Sequence, residues 1–290
     1  MKSVLITGAN RGIGLDTALV FARAGYKVFA TMRHPKDAKA LKKSVEKKSL
    51  NITLLKMDVN SDESVKKAMK IIKSKYGVVD VLVNNAGIER HGTIEDLELS
   101  DFKDVMETNY FGVIRCIKAI FPHMRKRQSG CIINVASIAG HIANSPLAAY
   151  AASKFALEAL SEALAQESKP FNIKVRIIEP GIIDTDMARD IGKVKTKKTT
   201  SNNAKRFAGL FQASLEHPTD ASLVANKILE VAESEDWILR HPIGPDAAPF
   251  LGWRASLTDE EWVNWHAASD EDWFKAVEND FGLNAKAHVK

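Results

Sequence analysis

The sequence predicts an α/β protein built on a doubly wound parallel sheet, with helices on both faces in a three-layer α/β/α arrangement. Three observations carry this prediction. Short, near-continuous apolar runs recur along residues 1–200, as is typical of strands buried on both faces. Amphipathic segments separate these runs, and strand–helix alternation gives right-handed crossovers between parallel strands. A glycine-rich turn also follows the first apolar run, as in ligand-binding sheets of this class.

The elements follow from these patterns in chain order. Strands are predicted over residues 4–7, 27–32, 52–57, 79–83, 131–135, 173–178 and 237–240. Helices are predicted over residues 12–24, 36–47, 61–76, 100–126, 148–168, 219–233, 258–266 and 269–280. Ser61, Ser100 and either Thr219 or Asp220 are expected to cap their helices, because their side-chain oxygens can accept first-turn N–H groups. Residues 241–249 read as a rigid, turn-rich connector.

The composition supports a single large domain with an appendage. The chain has 290 residues, of which 45% are hydrophobic, so it can bury a sizeable core. We expect a catalytic domain over residues 1–245 that includes a polar, irregular lid at about 185–211. Residues 246–290 form an aromatic-rich extension expected to pack on that domain, or to line a substrate cleft or a subunit contact.

Several classes of protein are excluded. No apolar run approaches the length of a membrane span, and Gly8 comes too early to leave room for a secretory signal, so we expect a cytoplasmic protein. Two isolated cysteines, Cys116 and Cys131, predict neither a disulfide scaffold nor a metal site. The net charge of +5 comes mostly from lysines on polar helix faces, so no nucleic-acid partner is expected. The lysines at 193–198 favour a solvated loop. The alternative is a positively charged funnel for an anionic substrate or cofactor.

The turn between the first strand and helix reads TGANRGIG over residues 7–14. Glycines let the backbone turn tightly and approach a ligand, and a helix N-terminus offers free N–H groups to a pyrophosphate. This turn predicts a nucleotide site, although a structural turn would look the same. No acid ends the second strand, where Arg33 stands, and Arg11 is expected to project toward the same region. Because a ribose 2′-phosphate requires cations, NADP(H) is favoured over NAD(H), unless both arginines are merely solvated.

Tyr150 and Lys154 lie one helical turn apart and so share a helix face. A nearby ammonium favours the phenolate and should lower the pKa of Tyr150, which would let the phenol exchange a proton with an alcohol or ketone oxygen. Ser137 closes the fifth strand and can hydrogen-bond the same oxygen. Asn109, midway along a long helix, is expected to interrupt regular helix bonding and hold a water, or to be a polar surface residue.

These motifs, in this order and spacing, resemble those of the short-chain dehydrogenase/reductase family, over about residues 3–240, and most closely its hydroxysteroid and retinol dehydrogenases. The resemblance implies a Rossmann-like fold, an NADP(H)-dependent enzyme acting on CH–OH donors, and a homodimer or homotetramer. It assigns catalysis to Asn109, Ser137, Tyr150 and Lys154, with no metal. It assigns cofactor binding to Gly8, Asn10, Arg11, Gly12, Ile13, Gly14, Arg33, Asp58, Val59, Asn85, Ala86, Gly87, Tyr150, Lys154, Pro180, Gly181, Ile182 and Thr185.

The substrate is expected to be a small-molecule alcohol or ketone that is bulky and largely apolar. Candidate contacts are Ser137, His141, Asn144, Tyr150 and Met187. Two alternatives remain at this point: a reductase of a smaller or acyl-type ketone, and a non-catalytic NADP(H)-sensing protein whose aromatic tail binds another protein.

Overall fold

The computed structural model describes residues 1–48, 50–192 and 203–289, and within them it contains a seven-stranded sheet. The order β3-β2-β1-β4-β5-β6-β7 has every neighbouring pair parallel, which confirms the predicted doubly wound parallel sheet. The strands are β1 (Ser3–Thr7), β2 (Lys27–Met32), β3 (Ile52–Lys56), β4 (Val81–Asn84), β5 (Gly130–Val135), β6 (Ile173–Pro180) and β7 (Arg240–Ile243).

The helices of the described ranges are α1 (Gly12–Arg23), α2 (Lys39–Lys48), α3 (Asp62–Tyr76), α4 (Leu99–Met106), α5 (Gly112–Arg127), α6 (Ala148–Ser168), α7 (Asp186–Ile191), α8 (Asn203–Ser214), α9 (Ala221–Glu233), α10 (Ala247–Ser256), α11 (Asp259–Ala267) and α12 (Asp270–Phe281). None of them is long and apolar enough to cross a bilayer.

Continuous apolar strands are explained by two cores, one on each face of the sheet. In β1, Val4 and Ile6 join a core with α1 and α9, while Leu5 faces a second core with α3, α5 and α6. Successive strand residues point to opposite faces, so a strand buried on both sides must be apolar at every position. The strand order reverses at β1 and β4, which opens a crevice at their carboxyl ends.

Two of the predicted helix caps are confirmed and one is wrong. Ser61 accepts the Ser64 N–H, and Asp220 accepts the Ser222 N–H. Ser100 lies inside α4, which begins one residue earlier. Glu98 and Asp101 cap this helix by bonding each other's backbone N–H groups. This reciprocal pair satisfies N–H groups at the start of the helix, so no serine is needed to cap it.

The end of the sheet differs from the prediction, because the last strand begins at Arg240 rather than at residue 237. Asp236 accepts the N–H of Ile238 and makes a turn there. The buried Arg176 donates to the carbonyl oxygens of this turn, so the chain joins β6 only afterwards. Pro242 therefore lies in an edge strand rather than in a connector, as prolines in sheets usually do. The remainder of the predicted connector leads into α10, which was not predicted.

Helices also occupy much of the predicted lid. The short α7 lies within residues 185–211, and the longer α8 begins there and continues to Ser214. The lysine cluster at 193–198 falls outside the described residues. The buried face of α8 contacts the extension through a third core. This core contains Leu210, Trp273, Phe274, Val277 and Ala285. The division at residue 245 stays a prediction, but the extension shares this apolar core with the segment before it.

We expect Trp273→Ala to lower the free energy of unfolding by about 3–5 kcal/mol, because it empties the centre of the third core. Val263→Ala, on an exposed face of α11, should change it by less than about 0.5 kcal/mol. Urea denaturation followed by circular dichroism measures both variants. Equal values would show that the core around Trp273 does not stabilise the fold.

Candidate active site

The glycine turn forms one end of a cavity of about 840 Å³ at the carboxyl edge of the sheet. Gly8 and Gly12 have φ angles of +66° and +52°, a region that side chains disfavour. At Gly14 a Cβ would lie 2.4 Å from Asn85 Nδ2 and 2.5 Å from the carbonyl oxygen of Gly8. The turn therefore leaves the N-terminus of α1 open to a ligand, as a bound pyrophosphate requires.

Asn85 ties this turn to the end of β4. Its Nδ2 donates to the carbonyl oxygens of Thr7 (2.9 Å) and Gly8 (3.3 Å), while the Thr7 hydroxyl accepts the N–H groups of Asn85 and Ala86. These bonds hold the two loops together at the strand-order reversal. All of the predicted cofactor residues line the cavity: Gly8, Asn10, Arg11, Gly12, Ile13, Gly14, Arg33, Asp58, Val59, Asn85, Ala86, Gly87, Tyr150, Lys154, Pro180, Gly181, Ile182 and Thr185.

The two arginines expected near the cofactor phosphate both line the cavity. Arg33 is exposed in the cavity wall beside His34, a lining residue that sequence reasoning missed. Arg11 lines the cavity as well, but its guanidinium pairs with Asp186 of α7 at 3.3 Å instead of joining Arg33. This pair is solvent-exposed and contributes little to stability, so it only sets the direction of the side chain.

Ser137, Tyr150 and Lys154 come together at the middle of the cavity. Ser137 follows β5, where its Oγ accepts the Ala139 N–H and lies 3.5 Å from the Pro180 carbonyl oxygen. Lys154 Nζ donates to the Val135 carbonyl oxygen at 2.9 Å and lies 5.4 Å from the centre of the Tyr150 ring. The three side chains predicted to act on one substrate oxygen therefore share one wall.

The ionisation of this group corrects one expectation. Burial raises the pKa of Tyr150 to about 12, although a hydrogen bond with Ser137 opposes the shift. Burial likewise lowers the pKa of Lys154 to about 8, although the negative charge of Glu158 acts in the opposite direction. The expected lowering of the Tyr150 pKa by Lys154 is therefore contradicted, since desolvation dominates for both groups. At neutral pH the phenol is protonated and able to donate.

Asn109 occupies a π-helical turn, Glu107–Phe111, between α4 and α5. Its Nδ2 donates to the Ile88 carbonyl oxygen and to Ser153 Oγ, and its Oδ1 accepts the Ile88 N–H, each at 2.9 Å. The interruption of regular helix bonding agrees with the sequence, but Asn109 is absent from the residues that line the described cavity. Its side chain ties the loop after β4 to α6, and a role in holding water stays a prediction.

Sequence reasoning missed Asp246, which lies far from Pro180 and Gly181 in the chain. Asp246 Oδ2 accepts the Ile182 N–H at 2.7 Å, and its carboxylate fills the space beside Gly181 where a Cβ would lie. Burial raises the pKa of this carboxyl group. The N–H of Ile182, one of the predicted cofactor residues, is therefore engaged by a side chain. No local pattern marks such a contact in the sequence.

The far half of the cavity is mainly aromatic. Asn144 and Met187 line it as predicted, while His141 is not part of the described lining. The His141 imidazole instead lies 2.8 Å from Glu179 Oε1, which draws it behind the cavity wall. The aromatic lining, much of it from the extension, consists of Phe207, Phe211, Phe250, Trp253, Trp265, Trp273 and Phe281. Glu89, a further lining residue, has its pKa raised to about 7, mainly by burial.

Comparison with known proteins identifies the class. The profile of the short chain dehydrogenases matches residues 2–196, so this chain belongs to that family. Within it, the chain is 37% identical over 232 residues to retinol dehydrogenase 8 of Bos taurus, covering 79% of this chain and 72% of the relative. The family and fold establish an oxidoreductase of CH–OH donors.

Solved structures agree with this assignment. A short-chain dehydrogenase from Streptomyces avermitilis matches with a TM-score of 0.78 and 32% identity, over 92% of this chain and 96% of that one. A gluconate 5-dehydrogenase from Burkholderia cenocepacia, solved with NADP and tartrate, matches with a TM-score of 0.73 and 25% identity, over 85% and 95%. The resemblance predicted from the sequence is therefore confirmed.

We expect Gly14→Ala to destabilise the protein, because the new Cβ has no room between Asn85 and Gly8. A loss of about 1–3 kcal/mol is typical when a well-packed site is overfilled. Gly252→Ala in α10 is the matched control, since no atom lies within 4 Å of its Cβ position and alanine favours helix. Thermal unfolding compares the two, and a Gly14 variant as stable as its control would contradict the tight turn.

Proposed function

We propose that this chain interconverts a secondary alcohol and a ketone with NADP(H) as the preferred cofactor and Tyr150 as the acid/base. The observation that carries the proposal is that Ser137, Tyr150 and Lys154 line the same cavity as the glycine turn and the aromatic residues. One end of the cavity suits a dinucleotide and the other suits an apolar ligand. Two hydroxyl groups lie between these ends, where a substrate oxygen would be held.

The residues of the nucleotide end fit NADP(H). Gly8, Gly12 and Gly14 leave the start of α1 open to a pyrophosphate, and the exposed Arg33 offers a guanidinium to a 2′-phosphate. Asp58 and Val59 would contact the adenine. The NADP held by the Burkholderia relative supports the same choice. When bound, the cofactor supplies or accepts the hydride.

The proton chemistry follows from the ionisation of Tyr150. Because burial keeps its phenol protonated, Tyr150 can donate to the substrate oxygen during ketone reduction. Ser137 orients that oxygen and stabilises the charge that develops on it. Lys154 would hold the cofactor ribose, and a water held by Asn109 would return a proton to Tyr150 through Lys154 and that ribose. An intact set of these groups favours catalysis over a purely NADP(H)-sensing role.

The aromatic wall favours a bulky, largely apolar substrate of the hydroxysteroid or retinoid type. Rings such as Trp253 and Trp265 present flat apolar surface to the cavity and pack edge to face, 4.9 Å apart. Such surfaces bind ligands mainly by removing apolar area from water. The similarity to a retinol dehydrogenase is consistent with this class.

A homodimer or homotetramer is proposed from the helices α5 and α6. Phe155 of α6 and Phe111, just before α5, are 43% and 45% exposed. Large apolar side chains at the surface are stabilised when a second copy covers them.

We expect Tyr150→Phe to reduce ketone turnover by at least about 100-fold, because the ring remains but the donated proton is lost. NADPH affinity, measured by fluorescence titration, should stay within about twofold, since the hydroxyl contributes little to ground-state binding. Tyr76→Phe, at a half-exposed position outside the cavity lining, is the control and should leave both quantities unchanged. Turnover retained by the Tyr150 variant would refute the acid/base role.

We expect Arg33→Asp to weaken NADPH binding by about 10- to 100-fold, because a charge-assisted bond to the 2′-phosphate is replaced by repulsion. NADH, which lacks that phosphate, should lose less than about twofold. Lys118→Asp makes the same change of charge on the exposed face of α5 and controls for net charge. Equal losses for the two cofactors would remove the case for NADP(H).

A further inference from the structure

A cluster of charged side chains lies behind the catalytic group, outside the residues that line the described cavity. His141, Glu158 and Glu179 bring one ligand atom each to within 4.8 Å of one another. Each comes from a different element, respectively the turn after β5, helix α6 and strand β6. None of them is explained by the proposed function.

The contacts within the cluster are short. His141 Nε2 lies 2.8 Å from Glu179 Oε1 and 3.7 Å from Glu158 Oε2. Arg240 Nε donates to Glu158 Oε2 at 3.1 Å and lies 3.9 Å from Glu179 Oε1. The second branch of this guanidinium binds Glu162 Oε2 at 2.6 Å, on the solvent side.

The cluster is short of one positive charge. Glu158 and Glu179 are only 5% and 1% exposed, and they share one guanidinium that also binds Glu162. Glu158 Oε1 has no hydrogen-bond partner among the described residues. Because an uncompensated buried carboxylate is costly, a proton on the cluster restores the balance. Burial and the charge of Glu179 raise the pKa of Glu158 to about 7, and the half-exposed His141 connects the cluster to solvent.

The same side chains contact the elements that carry the catalytic residues. The turn after β5 packs closely against Glu158, because a Cβ at Gly140 would lie only 2.8 Å from Glu158 Cγ. The Glu158 charge also raises the pKa of Lys154, one helical turn away. Glu179 directly precedes Pro180, where the cofactor-lining loop begins.

We propose that His141, Glu158 and Glu179 form a proton-holding cluster that positions the catalytic elements around the cavity. They are positioning residues, which act through Lys154 and the loop at Pro180. The effect on turnover rests on the proposed function, whereas the effect on folding does not. When the proton leaves, two facing carboxylates repel each other and push the elements apart.

The sign of the pH effect follows from the raised pKa. The folded protein holds a proton that an unfolded Glu158 releases near its ordinary value of 4.5, so this stabilisation is lost as pH rises from about 4.5 to about 7. Removing the Glu179 charge should lower the Glu158 pKa and reduce that loss. Glu179→Gln keeps the size of the side chain and removes only its charge.

The first test is thermal unfolding of the full chain between pH 5 and pH 8. The melting temperature of Glu179→Gln, relative to wild type, should increase steadily with pH. Glu63→Gln, the control, removes an exposed carboxylate of α3 that is not part of this cluster, so its difference from wild type should not vary with pH. A constant difference for both variants would overturn the proposal.

The second test is the pH profile of ketone turnover. The fall in turnover as pH rises through about 7 should be smaller in Glu179→Gln, because an ionised Glu158 then has no facing carboxylate to repel. His141→Asn should move this fall to higher pH, because the charge of His141 lowers the pKa of Glu158, and this variant serves if the first does not fold. A uniform loss of turnover without a shift would indicate a merely structural role and overturn the proposal. If no turnover is found at all, the proposed function is contradicted. The melting test would still show whether the cluster holds a proton in the folded protein.

Discussion

The site depends on the hydrogen bond that buried Lys154 donates to the Val135 carbonyl oxygen. An ammonium that is 6% exposed must find an acceptor, so this bond fixes how α6 is rotated against β5. That rotation places Tyr150 beside Ser137, just beyond the end of β5. The interior face of α6 is unusually polar for a central helix, with Ser153, Lys154, Glu158, Ser161 and Ser168 all buried.

Further polar contacts hold α6 in the same position. Ser161 accepts the side chain of Asn134, and Ser153 accepts that of Asn109 from the π-helical turn. Hydrogen bonds require particular directions, whereas apolar contacts tolerate sliding, so such a helix has one register against the sheet. Asn85 likewise fixes the position of the glycine turn, because its amide donates to the carbonyl oxygens of Thr7 and Gly8. Polar side chains thus fix the geometry of the site, while the two apolar cores supply most of the stability.

The extension contributes side chains to the cavity of a fold that many enzymes share. Its aromatic rings close the far half of the cavity, and Asp246, just before α10, holds the Ile182 backbone beside the cofactor-lining loop. The relatives compared above carry names for retinol and for gluconate, so the shared core does not determine the substrate.

The sequence by itself determined the sheet, its order of elements and the motif residues, because apolar periodicity and short glycine or Tyr–Lys patterns are local properties. It also indicated the family through those motifs. Only the tertiary structure decided that burial raises the pKa of Tyr150, that Arg11 turns to Asp186, and that His141 leaves the cavity for Glu179. Each of these depends on groups remote in the chain or on the amount of surrounding protein. Desolvation and charge pairing act through space, and no local pattern of residues encodes them.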